Sequence, residues 1–474
     1  MKCSFAGVLL LSLAASAGSA QISGPRPASL PDRPTRDARA VIDSGLGRGV
    51  NFGNMLEAPF EGAWGLTVEE RFFDVAVQAG VDHVRLPVSW THHTNNQPPY
   101  AIEPTFLDRV EWVVDQALDH GLKVIVNNHH YDELNADPVG EAPRALAIWQ
   151  QVATRFADES NDVYFEVLNE PHGVFNDQPA LWDAHLAGAL DVIRQTNPTR
   201  WVLAGPVRYN SIGALGSFNP PADPRLVAAV HFYDPFAFTH QGATWVGNIP
   251  PVGTVWTGDA VSIGGAWDNW SWGTTVTPVA DGLSIEYTQG WAGLYFRRGS
   301  AFEALTRVTF TADRPLALNV IVGVDGNELS TFVQTGAGTA QYTADFPGGI
   351  DATRVILQNA TPNANAPWTI SSLTVSDVAG HSEGAIFNER EAIDEAMRRA
   401  AAWANDRGMP IHLGEFGAYS PADMDSRARW TRAVREAAER EGIAWAYWEL
   451  AAGFGFFDPN ASVFRQPLLD ALTD

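Results

Sequence analysis

The sequence predicts an α/β protein, a (β/α)8 TIM barrel interrupted by an inserted antiparallel β-sandwich. Two observations carry this prediction. Over residues 39–254 and 379–474, short apolar runs ending in polar residues alternate with segments of helical period. Over residues 255–378 the helical period vanishes, and strand-like alternation spaced by Gly, Asn, Asp and Pro replaces it.

Taken in order, residues 1–20 combine Lys2, the apolar run VLLLSLAA and the small residues Gly18, Ser19 and Ala20. That is the pattern of a secretory signal peptide, with cleavage expected after Ala20 and release to periplasm or medium. Residues 21–38 are Pro-rich and aperiodic, a leader. The strands of the barrel are expected at 49–55, 82–88, 123–128, 163–170, 201–205, 226–231, 411–415 and 444–448. Helices are expected over 67–79, 106–120, 144–157, 180–195, 389–406 and 425–441, the second capped by Gly121. Parallel strands with right-handed helical crossovers close most economically as a barrel.

The interruption is far too long for a βα connection. Its alternating runs at 283–287, 305–311, 317–324, 341–346, 353–357 and 370–375 read as sandwich strands inserted after the sixth barrel strand.

Composition narrows the function classes. Of 474 residues 45% are hydrophobic, enough for a large core, and no apolar run beyond the leader reaches the length of a membrane span. The only cysteine, Cys3, falls in the signal segment, so disulfides, thiolate nucleophiles and cysteine metal sites are not expected in the mature chain. A formal charge of -24 argues against a nucleic-acid partner. Seventeen tryptophans suit stacking on the C–H faces of sugar rings, although most of them are expected in the core.

The stretch VYFEVLNEPH (163–172) organises the barrel. It reads as a buried strand running to Glu170, stopped by Pro171, which cannot donate to a ladder. IHLGEFG (411–417) has the same construction and delivers Glu415. Strand carboxyl ends surround one barrel mouth, and two carboxyls meeting there are the minimum equipment for hydrolysing a glycosidic bond. Arg85, His129, His130, Asn169, His231, Tyr233, Trp448 and Glu449 also fall at strand ends, where structural hydrogen bonding is the competing role. Glu166 rivals Glu170 but is expected to point into the barrel interior. Adjacent His129 and His130 point to opposite faces and lack helical ligand spacing, so no metal or other cofactor is expected. No G-x-S-x-G elbow follows a strand.

The motifs NFGNMLEAP (51–59), VRLPVSW (84–90), HHYDE (129–133), LNEP (168–171), HFYDPFAFTHQGATW (231–245), LGEFG (413–417) and YWELAAGFGFFD (447–458) resemble glycoside hydrolase family 5, the large cellulase family. The resemblance covers about 40–250 and 380–474. It implies a retaining mechanism with Glu170 as acid/base and Glu415 as nucleophile. It further implies that Arg85 and Tyr233 hold and ionise the nucleophile, and that Asn169 binds the sugar 2-hydroxyl. Asn54, His129, His130, His231, His240 and Trp245 would support or line the cleft, with Trp448 as its floor. The insert, with WDNWSWG (267–273), is similar to galactose-binding-type carbohydrate-binding modules. Trp267, Trp270, Trp272, Trp291 and Tyr295 are therefore candidate glycan contacts, with sandwich core as the competing role.

These readings converge on a secreted, monomeric endo-β-1,4-glucanase acting on β-glucan or a related plant cell-wall glycan, without a nucleic-acid or membrane partner. β-Mannan and xyloglucan are the alternative substrates. An exo-acting glycosidase and a catalytically silent carbohydrate-binding protein are the rivals.

Overall fold

In a computed structural model, residues 42–474 are described, apart from 265, 280, 281 and 335–339. The expected signal segment and leader lie outside the described residues. Eight parallel strands close into a barrel. Six come first: β1 (Arg48–Asn51), β2 (His83–Leu86), β3 (Lys123–Asn127), β4 (Val163–Glu166), β5 (Val202–Ala204) and β6 (Leu226–His231). Among the described residues, no helix is long and apolar enough to cross a membrane.

The chain then leaves the barrel for β7 (Val261–Ile263), β8 (Asp268–Asn269), β9 (Thr274–Val279), β10 (Gly282–Tyr287) and β11 (Gly293–Ala312). It continues through β12 (Ala317–Val324), β13 (Asn327–Gln334), β14 (Ala340–Asn359), β15 (Trp368–Asp377), β16 (Ser382–Gly384) and β17 (Ile386–Asn388). Strands β18 (Ile411–Glu415) and β19 (Ala444–Tyr447) return to the barrel, in the order β1-β19-β18-β6-β5-β4-β3-β2.

The helices follow from apolar spacing. Residues 72, 73, 75 and 76 bury one face of Arg71–Gln78, and Phe106, Val110, Val113, Val114 and Ala117 do so in Pro104–Asp119. Proline at the start of Pro104–Asp119, Ala142–Arg155 and Pro179–Arg194 sits where no intrahelical amide bond is lost. Asn388 and Glu391 form a reciprocal capping box at the head of Glu389–Arg407.

One expectation fails instructively. The β4 ladder ends at Glu166, not at Glu170, because its neighbour β5 is three residues long and pairs only through Phe165 and Glu166. Pro171 therefore lies beyond a loop and does not terminate the strand.

Within the insert, β11 and β14 are 20 residues each and pair along their whole length, with register shifts between Arg297 and Arg307. The first half of β11 and the second half of β14 join β12 and β13, while the other halves join β15, β10 and β9. The long strands thus bend from one layer into the other, and a single apolar cluster fills the space between. The runs expected separately at 341–346 and 353–357 are one strand, since a bulge can bend a strand without ending it. β-Structure also continues beyond 378, to Asn388, where β17 pairs with β7 as a two-stranded neck. Trp256, expected in the insert, is fully buried in the barrel core. Trp267 is 2% exposed inside the sandwich core under the Arg298 guanidinium, which removes it from the candidate glycan contacts.

Candidate active site

A fully buried guanidinium is tolerable only where acceptors surround it. Arg85, at the end of β2, has them on three other strands or the loops that follow. Its Nη1 donates to Asn51 Oδ1 and Glu415 Oε1, each at 2.8 Å. Its Nε and Nη2 donate to the two Glu166 oxygens at 2.6 and 2.9 Å, and Nη2 also to Asn169 Oδ1 at 2.7 Å. Burial alone would lower the Arg85 pKa, but the Glu166 and Glu415 carboxylates more than offset it. For Glu166 burial works upward and the Arg85 pair prevails, leaving it below the ordinary carboxylate range. Glu166 is thus the permanent counter-ion of Arg85.

Glu415 ends β18, and its Oε2 accepts the Tyr233 hydroxyl at 2.9 Å. Burial raises its pKa; His231, Arg85 and the Tyr233 hydrogen bond pull the other way, and Glu170 adds to the rise. Burial likewise pushes the Tyr233 phenol well up, with Glu415 and Glu170 adding, so it keeps its proton and donates.

Glu170 lies in the loop after β4 with φ +50, left-handed backbone that a non-glycine adopts only when its surroundings enforce it. Its Oε1 accepts from His231 Nδ1 at 2.8 Å. Burial raises its pKa to about 7; Arg85 and His172 oppose this and Glu166 adds to it. Burial lowers His231 to about 4, so the ring is neutral near pH 7. The Asn210 amide faces His231 Nε2 at 3.3 Å, which leaves the ring proton on Nδ1.

Glu170, His231 and Glu415 bring potential ligand atoms within 4.8 Å of one another, which is also the donor set of a divalent-cation site. The neighbours disfavour that use: Arg85 already supplies positive charge to Glu415, and His231 offers Glu170 a proton rather than a lone pair. Two carboxyls so close share their titration, and the second loses its proton only against the charge of the first.

The other expected residues surround this centre. Trp448 stacks on buried His129, centroids 5.5 Å apart and planes within 6°. His130 meets the exposed Trp64 edge-on at 5.9 Å. A polar cavity of about 470 Å³ opens beside His130, reaching His92, Asn95 and Arg144. Asn169 is buried, its carbonyl oxygen taken by Arg85. His240 lies behind Tyr233, stacked on Phe236 at 4.1 Å and edge-on to Tyr233 at 4.9 Å. Trp245 is 58% exposed, edge-on to Tyr419 at 4.7 Å.

Asn54, φ +64, donates from Nδ2 to Glu449 Oε2 at 2.8 Å, and its backbone N–H is held by Glu57. Glu57 and Glu449 complete the site; the sequence marks Glu449 only as a polar group at a strand end and does not single out Glu57. Burial raises their pKa values to about 7 and about 8, opposed by the amide donors around them. The spacing of Asn54 and Glu57 within one loop was the available signal. Tyr209 was missed too. It stacks on His172 at 4.6 Å from a turn in which Arg208, Tyr209 and Asn210 all have positive φ. Nothing in its sequence neighbourhood marks that conformation.

Comparison with known proteins bears on the family and the fold. The model described as cellulase, glycosyl hydrolase family 5, matches residues 47–272 and 365–453. The chain is 43% identical over 201 residues to endoglucanase H of Acetivibrio thermocellus, covering 42% of this chain and 22% of that protein. Endoglucanase A of Ruminococcus albus is 32% identical over 227 residues, covering 42% and 61% respectively. The match therefore spans less than two thirds of either relative. Among solved structures, an endoglucanase superposes with TM-score 0.62 at 30% identity, covering 90% of this chain and 97% of the other. Cel5A of Thermotoga maritima, solved with mannotriose, gives 0.62 at 28% identity, covering 90% and 98%.

Proposed function

Because the chain belongs to glycosyl hydrolase family 5, we propose that it is an endo-β-1,4-glucanase that cleaves β-glucan by double displacement with retention of configuration. The observation that carries this is a pair of buried carboxyls with different hydrogen-bond partners. Glu415 receives hydrogen bonds from a guanidinium and a phenol, while Glu170 is held near pKa 7 by burial.

In the first step Glu170 gives its proton to the glycosidic oxygen as Glu415 attacks the anomeric carbon. The bond to the leaving sugar breaks, and a glycosyl ester forms on Glu415. In the second step Glu170, now anionic, takes a proton from water, which attacks the same carbon and releases Glu415. Oxygens within 4.8 Å support this route, because inversion needs room for water between carboxyls roughly 6.5–9.5 Å apart. Tyr233 and Arg85 stabilise the leaving carboxylate. Asn169, its carbonyl oxygen engaged by Arg85, has its amide N–H groups left to bind the sugar 2-hydroxyl. Trp448 offers a flat floor for the ring at the cleavage point. A polymer substrate requires action outside the cytoplasm, in keeping with export through residues 1–20.

The test is product release from soluble β-glucan, glucomannan and xyloglucan, with anomer detection by NMR and a Glu415→Gln control. A spread of oligomers with retained configuration, absent in the control, is the expected result; initial release of the inverted anomer refutes the mechanism. β-Mannan is a second reading with its own support, since the Thermotoga relative has been solved with both cellobiose and mannotriose.

A further inference from the structure

Of the candidate glycan contacts on the insert, Trp270, Trp272 and Trp291 are 53%, 37% and 52% exposed, and Tyr295 meets Trp272 edge-on at 6.1 Å. The polar cavity beside His130 has no such assignment. Its volume of about 470 Å³ is that of a small-molecule site, for which roughly 300–1,000 Å³ is usual. One wall is the chain after β2, from Thr91 to Asn96; the other runs from His130 into the short helix Asp132–Ala136.

The two walls are tied together. Thr91 Oγ1 donates across the base to the His130 carbonyl at 3.0 Å. Arg144, 6% exposed, donates from Nη2 to the Thr91 and Thr94 carbonyls at 2.8 and 3.0 Å. Its Nε has no partner among the described residues, which leaves an unsatisfied donor on the guanidinium at the base. Thr94 is also buried, and its hydroxyl donates to the Trp90 carbonyl at 2.6 Å. Asn95, Asn96, Asp132 and Glu133, by contrast, are exposed. The cavity therefore has a closed, fixed base and an open polar rim.

A relay of rings sets it beside the cleft. Trp448 stacks on His129 at 5.5 Å, and His129 meets His130 edge-on at 4.7 Å. The rim thus opens to the side of a sugar resting on Trp448, with two imidazoles between.

Three features identify what fits. The lining holds imidazoles but no indole, phenol or phenyl ring, so it grips hydroxyl edges by hydrogen bonds instead of stacking on a flat face. A closed base admits a terminal unit and stops a chain that must run on past the site, as the backbone does in endo cleavage. Asp132 and Glu133 make the rim negative, while Arg144 at the base has Glu141 at 3.8 Å to offset its charge; an anionic sugar is repelled.

We propose that this cavity is a side pocket for a neutral sugar branch carried on the glucan backbone, which brings substituted β-1,4-glucans such as xyloglucan into the substrate class. Asn95, Asn96, Asp132 and Glu133 hydrogen-bond the branch hydroxyls while the backbone lies along Trp448. The proposal rests on the glucan reading above.

The test uses the full chain, a double variant Asn95→Ala with Asp132→Ala, and Asn96→Trp, which fills the rim. Each is assayed on xyloglucan and on an unbranched cello-oligosaccharide. The expected result is kcat/KM on xyloglucan lowered about tenfold in both variants, chiefly through KM, with kinetics on the unbranched substrate unchanged. Unchanged kinetics on xyloglucan overturn the proposal. Equal losses on both substrates also overturn it, because they indicate a structural defect. A loss confined to release of terminal sugars from the unbranched oligomer assigns the cavity to a chain end and overturns it as well. If the unsubstituted chain cleaves the unbranched substrate but not xyloglucan, the side pocket fails and the glucan reading stands; if it cleaves neither, both fail.

Discussion

The barrel mouth and the outward face of the insert solve opposite problems with buried and exposed groups. At the mouth, charged groups are withdrawn from water: Arg85, Glu166 and Glu415 are 0–5% exposed and satisfy one another. On the insert, apolar rings are left in water while an apolar core lies beneath them. Proton transfer and nucleophilic attack need displaced pKa values, which only burial and fixed partners provide. Reversible stacking on a polymer needs open faces and no titration. In this molecule the titratable groups with displaced pKa values at the barrel mouth are therefore buried, while the exposed rings of the insert carry no charge.

The largest test of the contrast is Glu415→Gln, which should lower turnover on the order of 10⁴-fold or more while polymer binding persists; residual turnover near the starting level would displace Glu415 from its role. Glu170→Gln should cost about 10²–10⁴-fold, least on substrates whose leaving group needs no proton. Its pH signature follows from the raised pKa. The acid is protonated below about pH 7 and ionised above it, so kcat should fall as pH rises through that value, and an unchanged alkaline limb in the variant would exclude Glu170 as its source.

Stability measurements probe the same contrast. Arg85→Ala strands two buried carboxylates and should cost roughly 3–5 kcal/mol, visible in denaturant unfolding. Trp267→Ala, opening a cavity in the sandwich core, should cost about 3–5 kcal/mol, whereas Trp270→Ala should stay within about 0.5 kcal/mol. Comparable costs for the two tryptophans would erase the distinction between core and surface. Glu449 is held protonated in the fold, with its pKa raised to about 8. Its ionisation favours unfolding, so this contribution declines as pH rises from the ordinary carboxylate range through about 8. Glu449→Gln should flatten that decline, seen as a smaller loss of Tm between pH 5 and 9.

The amino-acid order by itself determined the barrel, its interruption and the strand ends that carry Glu415, Arg85 and His231. Apolar period and polar punctuation are local properties, and each can be read within one strand or helix. Strand seven, residues 411–415, has the bounds its apolar run indicates, and five of the six expected helices differ from the observed ones by no more than two residues at either end. The exception, at residues 67–79, starts later because the chain before Arg71 is not helical. Long-range partnership was not legible. That Arg85 bonds Glu166 and Glu415, 81 and 330 residues away, depends on barrel closure. The end of β4 was set by the shortness of β5, a neighbour in space rather than in sequence. Trp267 and Trp270 stand three residues apart with similar local chemistry, and only the fold assigns one to the core and the other to solvent. Burial and hydrogen-bond partnership belong to the assembled tertiary structure, and pKa follows from both. The composition supplied the reactive groups, and the fold decided which of them are desolvated together.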